Sequence, residues 1–237
     1  MSYPELKLIA LALGAISYYV ALTPPTPPAT SNDMIYSGQL FEKLVRKISF
    51  SSKMFVTAAF MSEITMLVST AYPISIPPPL FRAICPRLEL DAENVLSTPP
   101  QFLAGLALLI VGGGIRMWCY RELGSLHTFE VAVRPEHRLV TSGPYAWVRH
   151  PSYTAVSLSI LGLILLHFSR GGWNAECGIM DSGNGAWVKL YMFLALFSVA
   201  SLWRRGIVED DMLKHRFGAE WEGYRQRVPH RFMIGFY

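Results

Sequence analysis

QFLAGLALLIVGGGIRMWC, residues 101–119, carries a single charge, Arg116, near its end. A helix needs about 20 largely apolar residues to cross the hydrocarbon core of a bilayer. A helix apolar around its whole circumference belongs in a membrane or at the centre of a large core. Four further stretches, residues 5–22, 53–72, 152–168 and 187–203, read the same way, the first and fourth at the short end. The expectation is an all-α polytopic membrane protein of about five transmembrane helices. Composition agrees: the 237 residues are 51% hydrophobic and 16% charged, with mean hydropathy +0.30, where soluble domains carry about 25% charge. The 13% of aromatic residues excludes disorder, since such surface collapses in water.

Pro24, Pro25, Pro27 and Pro28 punctuate the end of the first stretch, Pro73 and Pro77 to Pro79 that of the second, and Gly171, Gly172, Gly183 and Gly185 the interval between the last two. Glu5 offsets Lys7 and no basic segment precedes the first stretch, so it is read as a span rather than a cleaved signal. Of the 21 basic residues, sixteen fall on the side holding segments 23–52, 120–151 and the tail, and five on the other. The positive-inside rule then predicts a cytosolic C-terminus and a lumenal or otherwise non-cytosolic N-terminus. Two regions follow: 1–119, the first three transmembrane helices, and 120–237, which holds helices four and five and a C-terminal amphipathic helical cytosolic segment.

Cys85, Cys119 and Cys177 lie far apart with no CxxC, so neither a metal site nor a disulfide framework is indicated. Glu63 lies within the second span and should face the bundle interior or a wet cavity. Gly105 and the run Gly112, Gly113 and Gly114 are read as seats for close helix packing.

Chemistry concentrates in two strings. HRLVTSGPYAWVRHPSY, residues 137–153, runs from a polar loop through a Gly-Pro turn into the fourth span. Pro151 suits the first position of that helix, and the amides of Ser152 and Tyr153 would face whatever occupies the helix mouth, a setting that attracts anions. The competing reading is an interfacial belt in which Tyr145, Trp147 and Tyr153 ring the membrane and Arg138 and Arg149 touch lipid phosphates. RRGIVEDDMLKHRFGAEWEGYRQRVP, residues 204–229, places Arg205 and Glu209 four apart on one helical face, continued by Leu213 and Phe217.

LVTSGPYAWVRHPSY, followed after one helical hairpin by R-x-x-x-E-D and FGAEWEGYRQRVP, resembles the integral-membrane isoprenylcysteine carboxyl methyltransferases, and more distantly the phospholipid N-methyltransferases. The resemblance covers about the last 115 residues. It implies methyl transfer from S-adenosyl-L-methionine to the C-terminal carboxylate of a prenylated cysteine in the endoplasmic reticulum membrane. Partners would be a prenylated protein or peptide C-terminus and membrane lipid, with no nucleic acid and no metal. Carried over by position, His137, Arg138, Leu139, Val140, Tyr145, His150, Pro151, Ser152, Tyr153 and Glu209 would contact the cofactor. Arg205 would meet the substrate carboxylate, and Arg205 and Glu209 form the implied catalytic pair. Glu130 falls near where the family often has an amide side chain and joins the cofactor set. Asp210 replaces the second glutamate of a common Glu-Glu pair, and Trp221 a usual tyrosine.

Elementary chemistry is compatible with that activity. An α-carboxylate has a pKa of about 3.5, so its attack on a sulfonium methyl needs positioning and desolvation rather than a base. Arginine can grip a carboxylate through parallel hydrogen bonds. A phosphatidylethanolamine N-methyltransferase would have to deprotonate an amine. A sterol-reductase-like enzyme would need a dinucleotide fingerprint, which the chain lacks, and a lipid-binding protein without activity would not bind the cofactor. These alternatives stay open at the level of sequence.

Overall fold

The computed structural model describes residues 4–27, 38–87, 89–129 and 138–233. Among them all regular structure is helical: α1 (Pro4–Ala21), α2 (Leu40–Ala71), α3 (Pro78–Ile84), α4 (Ala92–Leu96), α5 (Pro100–Leu123), α6 (Pro151–His167), α7 (Trp173–Glu176), α8 (Gly185–Phe217) and α9 (Ala219–Arg227). Four helices are long and apolar enough to cross a membrane: α1, α2, the α4–α5 unit and α8. The fifth, α6, has 17 residues. At 1.5 Å per residue it rises about 25 Å, short of the roughly 30 Å core. Its last residue, His167, ends in a protein-buried polar cluster rather than in lipid.

Two helices outrun the stretches that announced them. α2 begins at Leu40, so residues 40–52, expected as loop, are helical. No Pro or Gly interrupts LFEKLVRKISFSS, and Phe41 and Val45 form one buried stripe, joined by Ile48, while Lys43 and Lys47 face outward and Arg46 lies over the Phe129 ring. α8 continues unbroken through the charged string to Phe217, where Gly218, at φ 52°, ends it.

The tightest seam is α5 against α6. A Cβ on Gly105 would stand 2.6 Å from the Leu166 amide nitrogen, one on Gly112 2.5 Å from Ser159 Oγ, and one on Gly162 2.7 Å from the Gly105 carbonyl. Small residues thus let two backbones meet, as membrane helix pairs require. Gly113 presses on Ser17 of α1, whereas Gly114 meets nothing within 4 Å.

Residues 72–87, 89–99 and 168–184 form a cap over one end of the bundle, held by a Cys85–Cys177 disulfide. This corrects the reading that no disulfide is present: the partners lie 92 residues apart, and no local spacing motif announces such a pair. Cys119 is free and buried. Beneath the cap, Lys7 donates to Val95 O (2.7 Å) and Gly171 O (3.0 Å). Glu63, fully buried as expected, accepts from the Trp173 amide (3.1 Å) and contacts His167 Nδ1 at 2.6 Å.

Candidate active site

At the end of the bundle away from the cap, the loop 138–150, the charged part of α8, α9 and the returning segment 228–232 converge. Pro144 opens a tight turn, and Pro151 occupies the first position of α6 with His150 as its N-cap residue. The Arg149 and His150 amides donate to the carbonyls of His230 and Arg231 at 3.0 and 2.8 Å, and Thr154 Oγ1 donates to Phe232 O. The tail therefore straps the entrance of α6. The Tyr153 amide bonds His150 O at 3.1 Å. The expectation that this amide points free into the helix mouth is thus corrected: the tight first turn uses it.

Asp210 organises the polar centre. Its carboxylate accepts from Arg149 Nη2 (3.1 Å) and Arg231 Nε (2.7 Å) and meets His150 Nε2 at 2.9 Å. The second nitrogen of His150 lies 3.4 Å from Glu209 Oε2. Glu209 Oε1 accepts from Tyr153 OH (2.7 Å) and Arg205 Nε (2.8 Å). Arg205 also reaches Glu42 of α2 at 3.4 Å and the Phe129 carbonyl. Arg205 and His150, 55 positions apart in the chain, are therefore joined through one carboxylate.

Burial alone would keep the His150 imidazole neutral, but its hydrogen bonds to the Asp210 and Glu209 carboxylates and their charges outweigh it and raise its pKa above the ordinary 6.5. His127 goes the other way. Burial, with the positive charges of Arg116 and Arg205 beside it, pushes its pKa down to about 3. Burial raises the Tyr145 and Tyr224 phenols. Tyr224 of α9 donates to Tyr145 O at 2.8 Å, tying the tail to the turn.

These groups border a cavity of about 560 Å³, within the range of small-molecule sites. Its polar end is walled by arginines 116, 138, 149, 205 and 216 and the carboxylates Glu209 and Asp210. Its other end is an apolar groove between α2, α6 and α8, with Phe41, Val45, Ile160, Leu194 and Ala195 among its walls. Arg205 stands at the junction, one turn beyond Leu202 along α8.

Of the residues singled out from the sequence, Arg138, Leu139, Val140, Tyr145, His150, Ser152, Tyr153, Arg205 and Glu209 all line this cavity. Pro151 is buried just behind the lining. Glu130 and His137 lie outside the described residues. The belt reading fails for Arg149, which is buried against Asp210, and suits Trp147, which is 65% exposed. Reasoning from sequence did not place Arg116, His127, Asp210 or Tyr224 in the site. Arg116 donates to Ala21 O and Tyr120 OH, both at 3.0 Å, and to Ser152 Oγ. Its charge inside an apolar stretch was the available signal.

Residues 105–170 match the isoprenylcysteine carboxyl methyltransferase (ICMT) family, so the resemblance read from the motifs is borne out there. The chain is 37% identical over 83 residues to the uncharacterized protein YpbQ of Bacillus subtilis, covering 34% of this chain and 49% of that protein. It is 30% identical over 132 residues to the protein-S-isoprenylcysteine O-methyltransferase of Rattus norvegicus (53% and 39% of the two chains). To that of Homo sapiens it is 28% identical over 153 residues (60% and 46%). The chain thus spans about half, or less, of the length of these curated relatives. No solved structure matches it.

Proposed function

From a chain whose residues 105–170 carry the isoprenylcysteine carboxyl methyltransferase match, we propose that this protein transfers a methyl group from S-adenosyl-L-methionine to the C-terminal carboxylate of a prenylated cysteine. The observation that carries the proposal is the single cavity whose arginine-rich polar end runs directly into an apolar groove between membrane helices. A water-borne donor and a lipid-borne acid can meet only where such surfaces join.

The donor set suits the cofactor. Glu209 would hold its ammonium, the cavity's guanidinium groups would hold its carboxylate, and Tyr145 would offer an aromatic ring to its sulfonium, since such rings attract cations. When bound, it supplies an electrophilic methyl. The chain's own residues bind, orient and exclude water. Arg205, at the junction, offers positive charge to the acceptor carboxylate, and Glu42 and Glu209 hold that guanidinium in place. Arginines 116 and 138 add to the positive field on the same wall. Among the described lining residues arginines outnumber carboxylates five to two, and an excess remains with Glu42 counted behind Arg205, so the site attracts an acid and repels an ammonium acceptor. Among the described residues the carboxylates that meet Arg205 at the junction are already engaged, Glu209 by Arg205, Tyr153 and His150 and Glu42 by Arg205. Both features favour an ester product over methylated amine.

Orientation belongs to the same proposal: an endoplasmic reticulum membrane with the cap and N-terminus in the lumen and the cavity's polar end in the cytosol. The basic residues crowd the cavity end. The disulfide fastens the opposite end, as an oxidising compartment permits.

The test uses membranes containing the full chain, labelled S-adenosyl-L-methionine, and S-farnesyl-cysteine and phosphatidylethanolamine as competing acceptors. Base-labile label on the thioether acid is expected, falling by about a hundredfold or more in Arg205→Ala and Glu209→Ala. Label in the phospholipid, or wild-type ester formation in both variants, would overturn the reading.

A further inference from the structure

Behind the apolar groove lies a second, much smaller void of about 20 Å³, room for one water molecule. Phe55 of α2 and Tyr191 of α8 line both spaces. Their rings stack with centroids 5.0 Å apart and planes within 13°, so the pair is a partition. It is pinned from a third helix: Tyr18 OH of α1 bonds Ser52 Oγ at 2.7 Å and Tyr191 OH at 2.9 Å. On the far side the walls are mainly apolar, with two polar residues among them. His167 Nε2 and Asn174 Oδ1 are buried without a hydrogen-bond partner among the described residues, and both residues line the small void.

We infer that the Phe55–Tyr191 ring pair is the end wall of the acceptor groove and sets the longest prenyl chain the protein accepts. This rests on the methyl-transfer reading for the acceptor's identity. An apolar chain gains by burying each added carbon until it meets a wall that cannot yield without breaking contacts. Here yielding would break the ring stack and the Tyr18–Tyr191 hydrogen bond. Fourteen residues of α8 separate Arg205 from Tyr191, about 21 Å of helix at 1.5 Å per residue, so head group and chain end are measured along one rod. Removing either ring would merge the two spaces and lengthen the groove toward His167.

The experiment compares the full-length protein in detergent with Phe55→Ala, Tyr191→Ala, Phe55→Leu and Tyr191→Phe. Acceptors are S-geranyl-, S-farnesyl- and S-geranylgeranyl-cysteine analogues. Two quantities are read: binding, from the shift in thermal unfolding without cofactor, and ester formation with it. Ring removal is expected to raise affinity for the longest chain relative to the shorter ones by about tenfold, the scale at which pockets discriminate small apolar increments. Phe55→Leu moves the same way by less and covers the case in which the alanine variants do not fold. Tyr191→Phe keeps the wild-type length preference because the ring remains. An unchanged preference in Phe55→Ala or Phe55→Leu, with binding retained, overturns the inference. A shifted preference in binding with no ester from any acceptor would uphold the wall and remove the methyl-transfer reading instead.

Discussion

Asp210 is 3% exposed and meets Arg149, His150 and Arg231 at once. Substituting Asn would leave three cationic or protonatable groups facing a neutral amide inside the protein. Breaking a buried pair in this way costs about 3–5 kcal/mol, and a fall in the unfolding temperature of detergent-purified D210N is the expected result. Histidines 150 and 127 give the stability a pH optimum. The raised pKa of His150 makes its contribution complete below 6.5 and lost as pH climbs through the higher folded value. The depressed pKa of His127 works oppositely: stability is complete above 6.5 and drains away on acidification toward about 3. Unfolding temperature measured across pH should peak near neutrality. His150→Gln should flatten the alkaline limb and His127→Gln the acid limb. The sequence exposed one part of this set and hid another. His150, Ser152, Tyr153 and Glu209 fall within short strings whose turn and helix signals are local. Arg116 and His127 enter the site only because α1, α5 and α6 bring distant backbone together, and no short-range spacing records that meeting.

Helix existence was legible for all five apolar stretches because twenty apolar residues leave a chain in lipid no other way to satisfy its backbone. Helix length was not. The extension of α2 to Leu40, and the joining of the fifth span and the amphipathic helix expected after it into one unbroken α8, depend on partly buried faces, Phe41 with Val45 and Arg205 with Asp210, whose partners lie on other elements. The α5–α6 seam gives this scale its own test. Gly112→Val would drive a side chain into Ser159 and the Ala155 carbonyl, 2.5 and 2.8 Å from the added Cβ, and should abolish recovery of folded protein from membranes. Gly114→Ala, where nothing lies within 4 Å, should be tolerated and gain up to about 1 kcal/mol from helix propensity. Equal behaviour of the two variants in a thermal-unfolding assay would contradict the seam described.

Across the whole molecule, the two ends of the bundle are held by different means: a covalent bond and the buried hydrogen bonds of Lys7 and Glu63 under the cap, a strap of backbone hydrogen bonds and a carboxylate hub at the cavity. A disulfide spanning 92 residues stabilises by about 2–5 kcal/mol. Cys85→Ser, or reduction with dithiothreitol, should lower the unfolding temperature, while Cys119→Ser should leave the response to reductant intact. The strap has a consequence for the order of synthesis. A polypeptide leaves the ribosome N-terminus first, so Arg149, His150 and Thr154 emerge well before residues 230–232, whose carbonyls accept from them. The mouth of α6 therefore stays unfastened until residues 230–232 follow α9, so the cavity's polar end is closed by a segment made after the helices that wall it.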